Sequence, residues 1–138
     1  MSVKIKSIGG KIPQWKNHGD AGLDLHASES MIIMPGKRVM IPLGIQTEFP
    51  PNYVAVIKDR SGLALEGLYT HAGVIDSSYR GEWKVIVENA GDISIEIEKG
   101  DRVAQVLFLP CFHLIIQEVE QLSVSEREKG GFGSSGRH

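Results

Sequence analysis

Cysteine is nearly missing from this chain. Its 138 residues include one, Cys111, so no intrachain disulfide can form and any core must hold without covalent staples. A lone cysteine in a strand-like context reads as a small buried hydrophobe. No apolar run reaches membrane-spanning length, and the opening Met-Ser-Val-Lys-Ile-Lys lacks the hydrophobic stretch of a signal peptide. The expectation is a soluble cytoplasmic protein with no membrane partner. Aromatic residues make up only 7% of the chain, which weakens any platform for stacking single-stranded nucleic acid. An excess of positive charge is lacking too. The formal charge of −2 argues against coating nucleic acid or anionic membrane, while a local arginine cluster still allows a small anionic ligand.

Several catalytic signatures are absent or incomplete. The histidines are scattered, with no HExxH and no nucleophile elbow. Cys111 and His113 would share a strand face, yet no second ligand pair stands at zinc spacing. Gly131 to Gly136 matches GxGxxG, but only two residues follow it. No helix can form there to supply the positive N-terminus that a dinucleotide fold needs.

What is present is a succession of short strand patterns. At 138 residues the chain is one domain by length, large enough to bury roughly two-thirds of its unfolded surface. Val3 and Ile5 alternate with Lys4 and Lys6. Leu23 to Ala27 alternates so that Asp24 and His26 share one face and Leu23 and Leu25 the other. Further strands are expected at 31–34, 39–43, 45–49, 53–57, 93–98, 103–109 and, last, 113–119. Arg60 to Glu66 is the one helix candidate, barely two turns, with Ser61 placed to cap it. Turns every eight to twelve residues and almost no helix predict an all-β sandwich, barrel or jelly roll. Residues 1–122 form the domain. Residues 123–138 are polar and glycine-rich, a mobile arm that cannot hold itself folded, yet one that carries an aromatic, Phe132.

The stretch from Gly73 to Gly81 stands at the centre of this pattern. Val74 and Ile75 read as strand, Ser77 and Ser78 as a turn, and Trp83 to Val87 as the returning strand of a β-hairpin. Its tip carries one carboxylate, Asp76, and one ring, Tyr79. Backbone groups left unpaired near such a tip can read the edge of a flat ring, and a carboxylate beside them can hold a water as general base. Taken alone, a plain hairpin with a turn-stabilising Asp is the simpler account. Other polar patches fall at strand ends: Asp24; Arg60-Ser61-Gly62; Gly100 to Gln105; and Arg127 to Ser135. Glycine combined with hydroxyl, Arg or Gln donors suits phosphate oxygens, so the set together suggests a polyphosphate ligand.

These segments carry a resemblance to the homotrimeric dUTP diphosphatase (dUTPase) family over nearly the whole chain. Ala21 to Leu25 is similar to the family's first motif, Arg60 to Ala64 to the second, and Gly73 to Gly81 to the third. Gly100 to Gln105 is similar to the fourth and Gly130 to Gly136 to the fifth. The resemblance implies a jelly-roll subunit in a homotrimer with active sites at subunit interfaces, each closed by the arm of a neighbour. It implies Mg²⁺-dependent hydrolysis of dUTP to dUMP and pyrophosphate, which limits uracil in DNA and supplies dUMP for thymidylate synthesis. Asp76 would activate the water that attacks the α-phosphorus, and Tyr79 would pack on deoxyribose and exclude a 2′-hydroxyl. Backbone groups between about Thr70 and Tyr79, Gly73 and Ile75 among them, would pair with uracil. Arg60, Ser61, Gly62 and Gln105 would hold the phosphates. Phe132, beside Gly133, would stack on the base while Arg127, Ser134 and Ser135 grip the γ-phosphate. The Mg²⁺ would ride on the triphosphate and its waters, reached by Asp24 through water.

Three departures from the family pattern stand out. Asp59 precedes Arg60 where proline is common, and an acid there is placed either to pair with Arg60 or to weaken its grip on the phosphates. Residues 63–72 form a compact segment whose uracil contacts the motif leaves open. Glu128 follows Arg127 where glycine is usual. Two other functions compete. One is a dCTP deaminase of the same fold family, with Glu66 as its only acid–base candidate. The other is a nucleotide-gated binding protein that uses the arm to engage a protein partner.

Overall fold

A computed structural model describes residues 1–138. The chain runs β1 (Lys4–Ser7), β2 (Leu23–His26), β3 (Met31–Ile33), β4 (Arg38–Pro42), β5 (Ile45–Glu48) and β6 (Tyr53–Lys58). After α1 (Ser61–Leu65) come β7 (Leu68–His71), β8 (Val74–Ile75), β9 (Lys84–Asn89), β10 (Ile95–Ile97) and β11 (Arg102–Pro110). All pairings are antiparallel. The sheets are β1-β5, β3-β10, β2-β11-β6-β8 and β4-β9-β7. Most neighbours are distant in sequence, which is how a jelly-roll barrel closes its edges.

The alternation read from the sequence decides which side chains enter the core. Leu23 and Leu25 of β2, Val85 and Val87 of β9, and Ile95 and Ile97 of β10 all point inward. On β11 the register slips between Arg102 and Ala104, so the consecutive Val103 and Ala104 are both buried. A bulge of this kind adds a residue without reversing the face of the rest of the strand. Trp83, 1% exposed, fills the centre, and its Nε1–H donates to Thr47 Oγ1 at 3.0 Å.

Asn89, fully buried, ties together three stretches of backbone. Its Nδ2 donates to the carbonyls of Ile33 (2.9 Å) and Ile93 (2.8 Å), and its Oδ1 accepts the Gly91 N–H at 3.0 Å. Asn89→Leu removes all three partners at a site water cannot reach. It is expected to destabilise the chain by about 3 kcal/mol or more, read as a lower urea midpoint, because each stranded buried group costs roughly 1–3 kcal/mol.

Several local expectations are corrected. Val74-Ile75 does not form a hairpin with Trp83–Val87. β8 pairs with β6 (Ala55↔Ile75, Val56↔Val74), while β9 pairs with β4 and β7. The segment between β8 and β9 therefore crosses from one sheet to another, since two residues of strand find a better partner in the long β6 edge. β7 has no counterpart in the sequence pattern, because only Leu68 of its four residues is buried and Tyr69, Thr70 and His71 carry no apolar alternation. Ser61 does not cap α1. Arg60 occupies that position with extended backbone, Ser61 is already helical, and no side chain caps the helix. No strand forms at 113–119: regular structure ends at Pro110, because a strand needs a partner edge and this chain offers it none. Cys111 is half-buried beyond the end of β11 rather than buried on a strand, and its N–H donates to the Asn52 carbonyl at 2.8 Å.

Candidate functional site

The crossover after β8 presents Asp76. Its carbonyl accepts the Tyr79 N–H (3.1 Å), and the Arg80 guanidinium grips the Ser77 carbonyl (2.7 Å), so the turn is rigid without using the Asp76 side chain. That carboxylate is exposed and joins no ion pair. Tyr79 donates its hydroxyl to the Glu82 carbonyl at 2.9 Å, and its ring lies against Gly81. Any Cβ at position 81 would collide with that ring, so glycine there is required for the tyrosine to take this pose. Asp76 and Tyr79 line a hollow of about 330 Å³ with Val74, Ile75, Met40 and Ile86 forming its apolar walls. Glu82 and Lys84 complete its lining, so a flat ring can enter against the apolar walls with the Asp76 carboxylate beside it.

Just upstream, Ala72 (φ +56°) and Gly73 (φ +92°) both hold left-handed backbone. The Gly73 carbonyl accepts the Ile57 N–H at 2.8 Å, which pins this corner to β6. A Cβ at Gly73 would press on Ile57, and only glycine escapes both constraints.

The other edge of β6 assembles the phosphate candidates. Gln105 on β11 stands opposite Lys58 of β6 and Asp24 of β2. Its Nε2 donates to the Asp59 carbonyl at 2.8 Å, and its side-chain oxygen packs on Gly22, where a Cβ would overlap it. Gly22 is thus a positioning residue that motif reading had left without a role. Arg60 donates through Nε to Asp24 Oδ1 (3.2 Å) and through Nη1 to the Arg102 carbonyl (3.3 Å). Arg102 reaches the second Asp24 oxygen at 3.4 Å. Ser61 and Gly62 are exposed at the start of α1. Arg60 lines a separate hollow with Leu63 and Glu66.

The expected Asp59–Arg60 pair is corrected: Asp59 Oδ1 accepts the Thr70 N–H at 2.6 Å and locks the approach to α1 onto β7, while Arg60 takes Asp24. One carboxylate oxygen of Asp59 is thus committed to a β7 backbone N–H, and Arg60 is paired across the sheet instead.

The arm residues stand apart from this body. Arg127 Nε donates to the Gly130 carbonyl at 2.6 Å, Ser134 and Ser135 are exposed, and Phe132 is entirely so at 113%. Glu128 holds left-handed backbone at φ +49°, a conformation that favours glycine, and its carboxylate accepts the Ser125 N–H at 3.2 Å.

His26 is the one buried polar side chain left unsatisfied. Although only 9% of the residue is exposed, its Nδ1 has no partner. Burial is the main cause that holds its pKa below the ordinary 6.5; Lys11, Arg102 and Arg60 add repulsion, and Asp24 opposes them. The unfolded chain therefore takes up a proton near pH 6.5 while the folded chain resists it. This contribution to stability is present above 6.5 and is lost as pH falls toward the folded value. Urea unfolding between pH 8 and 5 is expected to show a steeper loss for the parent than for His26→Gln.

The dUTPase family model matches residues 9–136. The chain is 43% identical to the deoxyuridine 5'-triphosphate nucleotidohydrolase of Clostridium tetani, covering 99% of this chain and 97% of the relative. It is 41% identical to that of Clostridioides difficile, covering 98% of each. Among solved structures, the Staphylococcus bacteriophage 80alpha dUTPase with dUPNHPP superposes with a TM-score of 0.93 at 27% identity, over 99% of both chains. A β-barrel with one short helix, the motif residues at its strand ends and similarity along almost its entire length make this chain a member of the dUTPase family.

Proposed function

We propose that the chain hydrolyses dUTP to dUMP and pyrophosphate, with Asp76 as the general base for the attacking water. The observation that carries this reading is the Asp76 carboxylate: rigidly presented, exposed, outside any ion pair and at the lip of an apolar slot. A carboxylate already neutralised by a lysine or arginine would be a poor proton acceptor; this one is uncommitted.

The remaining roles follow from placement. Uracil enters beside Val74 and Ile75 and meets the left-handed corner at Gly73, whose fixed backbone can favour its donor–acceptor edge over that of cytosine. Tyr79 packs on the deoxyribose. Arg60, Ser61, Gly62 and Gln105 hold phosphate oxygens, and Asp24 keeps Arg60 preset until the triphosphate offers it a stronger partner. Asp24 is the carboxylate among the phosphate candidates. That donor set fits Mg²⁺ carried on the triphosphate with its own waters, Asp24 reaching it through water. When bound, the ion would offset charge on the phosphate oxygens.

Asp76 and Tyr79 line one hollow and Arg60 another, which supports a site completed between subunits of a homotrimer. So does the segment after Pro110, where Phe112 (82%) and Ile115 (95%) head an exposed apolar run that a lone soluble chain would cover. Residues 123–138 act as the arm that closes a neighbour's site, bringing Phe132 onto the base and Arg127, Ser134 and Ser135 onto the γ-phosphate, with Gly133 giving the turn its freedom. The enzyme works in the cytoplasm, keeping uracil out of DNA and supplying dUMP. Pyrophosphate release measured with dUTP, dCTP, dTTP and UTP tests the proposal. Turnover confined to dUTP is expected; equal turnover of all four, or of none, overturns it.

A further inference from the structure

His26 lines a hollow of about 370 Å³ formed by the 11–16 loop, the end of β2 and the Gly100 turn. At ~30 Å³ per water the space holds roughly a dozen waters, ample for a small hydrated anion. The acids in its wall are already engaged. Asp24 is bound by Arg60 and Arg102, and Asp101 accepts the Glu98 N–H at 2.9 Å. Its lysines are not: Lys11 and Lys16 are exposed and enter no ion pair. Gly100, at φ +93°, has nothing within 4 Å of where a Cβ would stand, so this turn leaves the mouth of the hollow open, while its N–H is spent on the Ala27 carbonyl at 2.8 Å. The hollow thus offers two unspent ammonium groups beside a nearly buried imidazole whose Nδ1 no protein group satisfies, with Arg102 in its wall already held by Asp24. Asp24 is offset by its two arginines, and Asp101, bonded to a backbone N–H, keeps its charge, so the two free lysines leave the hollow with a positive balance that attracts an anion rich in acceptor oxygens.

We propose that this hollow is a binding site for inorganic pyrophosphate, using Lys11, Lys16 and His26, beside but separate from the donors Arg60 and Gln105. The identity of the anion rests on the reading of the chain as a dUTP-hydrolysing enzyme. Asp24 and Arg102 adjoin both regions, so a product leaving the phosphate donors has this hollow next to it. The hollow retains the released anion and makes it a product inhibitor.

The test is calorimetric titration of the full chain with pyrophosphate in EDTA, with orthophosphate as a second arm, on the parent and on Lys11→Gln/Lys16→Gln. Both lysines are exposed, so the double variant folds. Pyrophosphate is expected to bind the double variant about tenfold more weakly or worse, since two charge-assisted contacts from exposed lysines are lost. It is expected to shift the His26 ring resonances in the parent alone. Inhibition of dUTP hydrolysis by pyrophosphate should weaken in parallel while KM for dUTP stays near the parent value. No binding to the parent, equal binding to both, tighter binding of orthophosphate than of pyrophosphate, or a matching rise in KM for dUTP each overturns the proposal. The direct titration reads the site even if the chain proves not to hydrolyse dUTP.

Discussion

Replacing Asp76 by asparagine is expected to lower the single-turnover rate on dUTP by about 10²- to 10⁴-fold, the range over which a positioned general base contributes. The substitution preserves shape and removes only the proton acceptor. No partner is stranded, because the carboxylate holds no ion pair and the turn is fixed by the Tyr79 N–H and the Arg80 guanidinium. Nucleotide affinity measured by calorimetry should stay near the parent value, and the urea midpoint should not move. A retained rate would remove Asp76 from the chemistry. A collapsed affinity would make it a binding group instead.

Ending the chain after Val124 is expected to leave the barrel folded and to reduce turnover by about 10²-fold or more. The nineteen-residue core cluster contains nothing beyond Val106, and the arm's hydrogen bonds run among its own residues, so the barrel loses no support. What it would lose is closure. A reacting group held even about 1 Å out of place can forfeit 10²-fold in rate, and the deleted stretch carries Arg127, Phe132, Ser134 and Ser135. Circular dichroism and light scattering on the truncated chain separate this outcome from unfolding or loss of assembly. A rate equal to the parent's would make the arm a bystander.

The arm also shows why local reading has limits. Glu128 at φ +49° departs from the glycine usual in the resemblance at a place where the backbone turns left-handed, the conformation glycine adopts most readily. In the same way, Asp59 looked like a partner for Arg60 from adjacency alone. The direction of each side chain depends on what lies above and below it, and β7, the element that claims Asp59, carries too little apolar alternation to be anticipated.

Family membership was legible because it rests on ordered short motifs, and so was the all-β class, because alternation with period two forces side chains to opposite faces. The helix at 61–65 was legible from its propensity. Pairing was not. The expected hairpin at Asp76 became a crossing between sheets because partner choice depends on which edge the closed barrel leaves free, and β6 offered the better one. The segment 113–119 has strand composition but no strand here, since hydrogen bonds between strands need a second edge.

By itself, then, the order of residues determined the chemistry available: one acid on a short loop, arginine and glutamine at strand ends, and an aromatic on a glycine-rich tail. Only the tertiary structure decided which of these groups are already spent. Asp24 is engaged by two arginines, Asp59 is used on the backbone, and His26 is buried without a partner. The reason is that commitment of a polar group is a matter of distance and burial between segments far apart in the chain, and neither quantity exists until the barrel closes.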